Sequence, residues 1–188
     1  MSEMLDLVIE DAREKMAKAV AHAKVEFASV RTGRAAPSLI EKLVVEAYGE
    51  EMPLQQLAGF TVPEARLLVV NPFDKANLSA IEKAIRNSDL GLNPASDGVV
   101  IRLSFPPLTE ERRKEMVKVM KHKGEEGRVA VRAARKGARK DLEGLEKDGD
   151  ISTDELDRAE KELEKITHEY VAEIDRMVQA KEKELLEV

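Results

Sequence analysis

The sequence of 188 residues predicts an α+β fold, an elongated three-helix bundle interrupted by a small inserted β/α/β domain. Three observations predict it. Both ends of the chain repeat apolar residues at helical spacing and are rich in Ala, Glu, Lys, Leu and Arg. Residues 39–104 instead break into short β-prone runs separated by Gly, Pro and Asn. Gly33 and the Pro106-Pro107 pair mark the two passages between these regions.

The elements follow in order. Leu5, Ile9, Ala12, Met16, Ala19, Ala23 and Val30 step by 4, 3, 4, 3, 4 and a final heptad, so one amphipathic helix is expected over about residues 2–30, stopping at Gly33 and Pro37. Residues 43–46, 59–62, 66–71 and 99–104 read as strands, the last after the Ala-Ser-Asp-Gly turn at 95–98. Between them Ser79 with Glu82 has the spacing of a capping box ahead of Ile81, Ala84 and Ile85, with Gly91 as the stop. Thr109, followed by Glu110 and Glu111, suits the start of a long helix. Its apolar side is expected at Met116, Val119, Val131, Ala134, Ala138, Leu142 and Leu145, with a break over residues 144–150. Ser152 and Glu155 make a second capping box, and Leu156, Ala159, Leu163, Ile166, Tyr170, Ile174 and Met177 carry a final helix to about Leu186.

Three helices with one apolar stripe each must bury those stripes against one another. Residues 1–30 and 106–188 are therefore assigned to the bundle and residues 31–105 to the insert. The crossings, Arg31, Thr32 and Gly33 on one side and Phe105, Pro106 and Pro107 on the other, can serve as a two-segment hinge. Gly33 equally fits a turn that simply ends the first helix. A coiled-coil scaffold is the rival architecture; the insert and the short loop between the last two helices favour intramolecular packing and a monomer.

Charge is segregated along the chain. Residues 112–140 hold twelve Lys or Arg against three acids, Glu115, Glu125 and Glu126, a local +9 in a chain of formal charge −6. At about 100° per residue, Lys114, Lys121, Arg128, Arg132, Arg135 and Arg139 fall within an arc of roughly 60° and span ~38 Å of helix. Basic helix faces are commonly just solvated or paired at i+3 and i+4. Here acids within the segment are scarce, so an unneutralised face for a polyanion is expected, with only a neighbouring helix able to neutralise it. The segment contains no aromatic residue and the chain no Trp, which favours recognition of backbone and shape over base stacking. Gly124, Gly127 and Gly137 lie within this helix; a bent or loosened helix explains them better than a close approach of RNA to the backbone.

Other classes find little support. Cysteine is absent, which removes disulfides and thiolate metal sites and fits a reducing compartment. The acidic N-terminus is unlike a secretory signal, and no apolar run reaches the length of a membrane span, so a cytoplasmic protein is expected. His22, His122 and His168 lack HExxH or paired spacing, carboxylate pairs such as Glu110-Glu111 read as first-turn helix charges, and no GxxxxGK[ST] loop occurs. Met4, Met16, Met116, Met120 and Met177 read as packing or surface positions. Neither catalytic residues, a metal nor a cofactor is expected.

Five segments then add a resemblance. Val-Arg-Thr-Gly-Arg-Ala at 30–35, Gln-Gln-Leu-Ala at 55–58, Ala-Ile-Arg-Asn-Ser-Asp-Leu-Gly-Leu-Asn-Pro at 84–94, Pro-Leu-Thr-Glu-Glu-Arg-Arg at 107–113 and Val-Ala-Val-Arg at 129–132 resemble, collinearly, the bacterial ribosome recycling factors. The resemblance implies a bundle plus a hinged domain in an L-shaped outline similar to transfer RNA. It implies a bundle lying against large-subunit ribosomal RNA near the peptidyl transferase region of a post-termination ribosome. Elongation factor G and its GTP then act on the hinged domain, and the subunits separate with release of messenger and transfer RNA. By the same resemblance, ribosomal RNA contacts fall on Arg132, Arg135 and Lys136, with Arg128, Arg139 and Lys121 extending the face and Arg31 and Arg34 beside the hinge. Ala133 departs from the family, which commonly has Asn there.

Overall fold

In the computed structural model, which describes residues 3–187, the chain divides into two compact units: residues up to Val30 together with Lys114–Glu187, and Arg31–Arg113. The expected start of the first helix at Ser2 lies outside the described residues. Pro106, Pro107 and the first turn of the helix that follows group with the smaller unit, so the division falls eight residues later than the expected end of the insert.

The larger unit holds α1 (Glu3–Ala28), most of α3 (Glu110–Lys147) and α4 (Thr153–Leu186). Helix α1 buries Leu5, Ile9, Ala12, Met16, Val20, Ala23 and Phe27, with Val20 rather than Ala19 on the buried line. Helix α4 buries Ala159, Leu163, Ile166, Thr167, Ile174, Val178 and Leu185, and the buried Thr167 hydroxyl donates to the Leu163 carbonyl at 2.7 Å. Its start is the expected capping box: the Ser152 hydroxyl accepts from the Glu155 amide at 3.2 Å while the Glu155 carboxylate accepts from the Ser152 amide at 2.9 Å. Each large side chain removed from water in such a seam contributes about 1.5–3 kcal/mol.

Helix α3 departs most from expectation. Its buried line is Met120, Gly124, Gly127, Val131, Ala138 and Leu142, while Val119 is exposed. Gly124 and Gly127 are contact points of the bundle, not marks of a bent helix: a Cβ on Gly124 would stand 2.6 Å from Val178 Cγ2, and one on Gly127 would stand 3.1 Å from Ile174 Cδ1 and 3.3 Å from Ala23 Cβ. The absent side chains let α3 approach α4 and α1. Nor does Gly144 break the helix, which continues to Lys147; the chain turns at Gly149, where φ is +81°.

The smaller unit comprises β1 (Val44–Ala47), β2 (Glu50–Pro53), β3 (Ala58–Glu64), β4 (Leu67–Pro72), α2 (Leu78–Arg86), β5 (Pro94–Ser96) and β6 (Ile101–Ser104). β1 and β2 form a hairpin, and the other strands form an antiparallel sheet in the order β3-β4-β6-β5. Val70 of the inner strand β4 sits opposite Phe60 on one side and Ile101 on the other. Ile40, Leu54, Leu68, Ile81, Ile85, Ile101 and Leu103 fill its core.

Two strands, β2 and β5, are additional to the expected set. The β1–β2 turn is made by Tyr48 at φ +55° and Gly49 at φ +77°, the positive pair that a two-residue hairpin needs. A tyrosine is an unusual bearer of that conformation, and its side chain holds it: the hydroxyl donates to Asp74 at 2.9 Å and accepts from Asn77 at 3.0 Å. The Ser79–Glu82 capping box does not form, because α2 begins at Leu78 and places Ser79 inside the helix. Asp74 instead caps the preceding short turn by accepting the Ala76 amide at 2.9 Å, and Glu82 pairs with Arg86 at 2.7 Å. Helix α2 ends at Arg86, ahead of Gly91. Among the described residues no helix is long and apolar enough to cross a membrane.

Candidate nucleic-acid interface

Helix α3 starts where Thr109 leaves the prolines: its hydroxyl accepts the Arg112 amide at 3.1 Å and its carbonyl the Arg113 amide at 2.9 Å. Burying Val131, Ala138 and Leu142 turns Arg128, Arg132, Arg135, Lys136 and Arg139 toward the surface.

The expectation of an unneutralised stripe is not met, since each of its four arginines has a carboxylate partner. Arg128 is the most enclosed, its side chain only 20% exposed; Nε donates to Glu125 at 3.0 Å and Nη1 to Asp175 at 2.6 Å. Burial works against its charge, but the bonds to Glu125 and Asp175 outweigh that and raise its pKa. Arg132 reaches Glu125 at 3.5 Å, Arg135 reaches Glu164 at 3.2 Å, and Arg139 reaches Glu143 at 3.0 Å and Glu160 at 3.1 Å. Three of these carboxylates, Glu160, Glu164 and Asp175, stand on α4, which is why counting acids within residues 112–140 misses them.

These pairs fasten α3 to α4, yet they do not remove the face from use. Exposed ion pairs contribute about 0–1 kcal/mol, so exchanging a glutamate for a phosphate has a small penalty, and the new charge-assisted bonds are of the stronger kind. Arg132, with its long contact and 48% exposure, is the least committed of the four. Lysines flank the arginines: Lys118, Lys121, Lys136 and Lys140 are exposed, and among the described residues none has a carboxylate partner. On the same helical projection Lys118 and Lys140 lie roughly 40° and 80° beyond the edge of the stripe's arc. Lys123 does the opposite, turning inward to Glu26 on α1 at 2.5 Å; the bond and charge of Lys123 hold the Glu26 carboxyl below its ordinary pKa.

Arg31 and Arg34 belong to the smaller unit, Arg31 exposed and Arg34 half-buried. Beside them Thr32 is buried, and Gly33 stands at φ +81° with its would-be Cβ 3.3 Å from Leu108 Cγ. Gly33 lies well past the end of α1 at Ala28, so the turn it makes belongs to the crossing and not to the helix terminus. Phe105 is tied back to the sheet by its amide, which donates to the Arg66 carbonyl at 2.8 Å.

Comparison with known proteins adds an independent finding. Residues 23–186 match the family model described as "Ribosome recycling factor". The chain is 55% identical over 185 residues to the ribosome-recycling factor of Acidothermus cellulolyticus and 56% identical over 185 residues to that of Saccharopolyspora erythraea, in both cases covering 98% of this chain and 100% of the relative. Among solved structures, it is similar to a solution structure of the ribosome recycling factor, with TM-score 0.80, 43% identity and full coverage of both chains. It is also similar, with TM-score 0.70 and 46% identity over 97% of this chain and 98% of the other, to the T. thermophilus ribosome recycling factor described with the E. coli elongation factor G bound to the E. coli post-termination complex.

Proposed function

The chain belongs to the ribosome recycling factor family, and from that premise we propose that it binds the ribosome left on messenger RNA after termination and, with elongation factor G and GTP, separates the subunits. What supports this most directly is likeness over nearly the whole chain to a relative described together with elongation factor G on a post-termination complex. The face of α3 provides the means of docking. Arg132, Arg135 and Lys136, extended by Arg128, Arg139 and Lys121, contact phosphates of large-subunit ribosomal RNA, and Arg31 and Arg34 contact RNA from the smaller unit. Such contacts are sequence-independent and weaken steeply with salt.

In this reading the protein acts as a cytoplasmic monomer and as a mechanical element. Elongation factor G hydrolyses the nucleotide; this chain transmits the movement. Residues 31–33 and 105–107 are the hinge, the glycine supplying freedom and the prolines restricting the path. Adding the purified protein with elongation factor G and GTP to post-termination ribosomes should lower light scattering as subunits part. No decrease beyond that given by elongation factor G alone would refute the proposal.

A further inference from the structure

The three α4 carboxylates that engage arginines of α3, Asp175, Glu164 and Glu160, lie on one side of α4. The neighbouring side of α4 has a different character. Arg158, Lys161, Lys165, His168 and Arg176 are all exposed there, and at about 100° per residue they fall within an arc of roughly 80°. Lys161, Lys165, His168 and Arg176 line one shallow groove with Ala172 between them.

Two acids line this groove as well: Glu164, which is directed to Arg135 at 3.2 Å, and Glu169, which among the described residues is ion-paired with none of the groove's cations. Nearby Glu162 is taken by Arg13 of α1 at 3.0 Å. Among the described residues Lys161, Lys165 and Arg176 have no carboxylate partner, although α4 carries many acids at i±3 and i±4 spacing. The surface across α3 and α4 is thus banded: unpartnered lysines of α3, a seam of ion pairs, then unpartnered cations of α4.

We propose that Arg158, Lys161, Lys165 and Arg176 form a second phosphate-binding row, gripping the ribosomal RNA backbone alongside the face of α3. This rests on the ribosome-binding reading above and extends it to a helix that the basic segment does not include. The seam of Arg128, Arg135 and Arg139 with α4 fixes the two rows on one rigid surface. Phosphate is the fitting occupant because the row offers flexible cations over a small alanine floor. A protein partner would be anchored by aromatic or large apolar groups, and the row has none.

The test compares the full chain with its K161Q/K165Q/R176Q and K118Q/K136Q/K140Q variants, measuring binding to post-termination ribosomes through a salt series. Unfolding midpoints serve as the control. The α4 variant should keep its midpoint, bind about tenfold or more weakly at moderate salt, and show a log–log salt slope lowered by roughly two to three. Parental affinity and slope would overturn the proposal while leaving α3 docking intact if the α3 variant is weakened. Weakened binding with an unchanged slope would also overturn it, pointing to a protein contact. If neither variant nor R132A is weakened, docking of the bundle on RNA falls as well.

Discussion

Gly124 of α3 lies so close beneath Val178 of α4 that a single added carbon would stand 2.6 Å from Val178 Cγ2. Val178 is 8% exposed and β-branched, so it has little rotameric freedom to yield. The glycine therefore sets the distance between the two helices whose ion pairs build the candidate interface.

Gly124→Ala and Gly137→Ala should consequently move stability in opposite directions. Both gain about 1 kcal/mol of helix propensity. Only Gly124→Ala meets the overpacking penalty of about 1–3 kcal/mol, since nothing lies within 4 Å of a Cβ on Gly137. Thermal unfolding of the bundle should show a lower midpoint for the first and a slightly higher one for the second. A raised midpoint for Gly124→Ala would mean that the helices adjust at no penalty.

At Gly33 the strain is in the backbone. Its φ of +81° disfavours any Cβ, and the nearest obstacle is Leu108 Cγ at 3.3 Å. Gly33→Ala should lose about 1–2 kcal/mol, felt in the smaller unit. Hydrogen exchange should report faster opening at the Ala35 amide, which donates to the Ala65 carbonyl at 2.8 Å, while the middle of α1 remains protected. Unaltered exchange at that amide would remove the conformational argument for glycine there.

The parts of this molecule legible in its sequence are those decided locally. The heptad steps of α1 and the Ser152–Glu155 cap use residues within one or two turns; the cap forms, and the α1 steps hold from Leu5 to Ala23 with Val20 in place of Ala19. What was illegible depends on another element. Ser79 has a capping-box spacing, but Asp74 and Asn77 tie the start of α2 to the β1–β2 turn through Tyr48, so the helix begins ahead of it. Gly124 and Gly127 read as weak points until α4 and α1 are seen pressed on them. Likewise the arginine stripe is unmistakable in sequence, whereas Glu160, Glu164 and Asp175, which partly neutralise it, lie far along the chain on α4.

Acid should test the β5–β6 hairpin through Asp97. Its carboxylate accepts the Val99 and Val100 amides and Arg102, each at 2.9 Å, and these bonds hold its pKa down at about 2 from the ordinary 3.8. A depressed folded-state pKa means that the stabilisation is fully present above about pH 4 and is lost as pH falls through about 2. Asp97→Asn should be less stable than the parent at neutral pH, and the difference should shrink between pH 4 and 2 in chemical unfolding measured at each pH. A difference constant across that interval would show that ionisation of Asp97 adds no stability, so that its pKa is not depressed in the folded state.

The last prediction separates fastening from docking along α3. Arg128 and Arg132 share Glu125, but Arg128 also holds Asp175 on α4 at 2.6 Å and is 20% exposed, against 48% for Arg132 with one contact at 3.5 Å. Arg128→Ala removes a half-enclosed link between helices and should lower bundle stability by roughly 1 kcal/mol after allowing for solvent screening. Arg132→Ala removes almost nothing from the fold, so its unfolding free energy should stay within about 0.5 kcal/mol of the parent. Its ribosome affinity should nevertheless fall by about 1 kcal/mol, or roughly fivefold, with a shallower salt dependence. Should Arg132→Ala bind as the parent does while Arg128→Ala loses both stability and affinity, the arginines of α3 would be a helix clasp, and docking would have to rest on the flanking lysines.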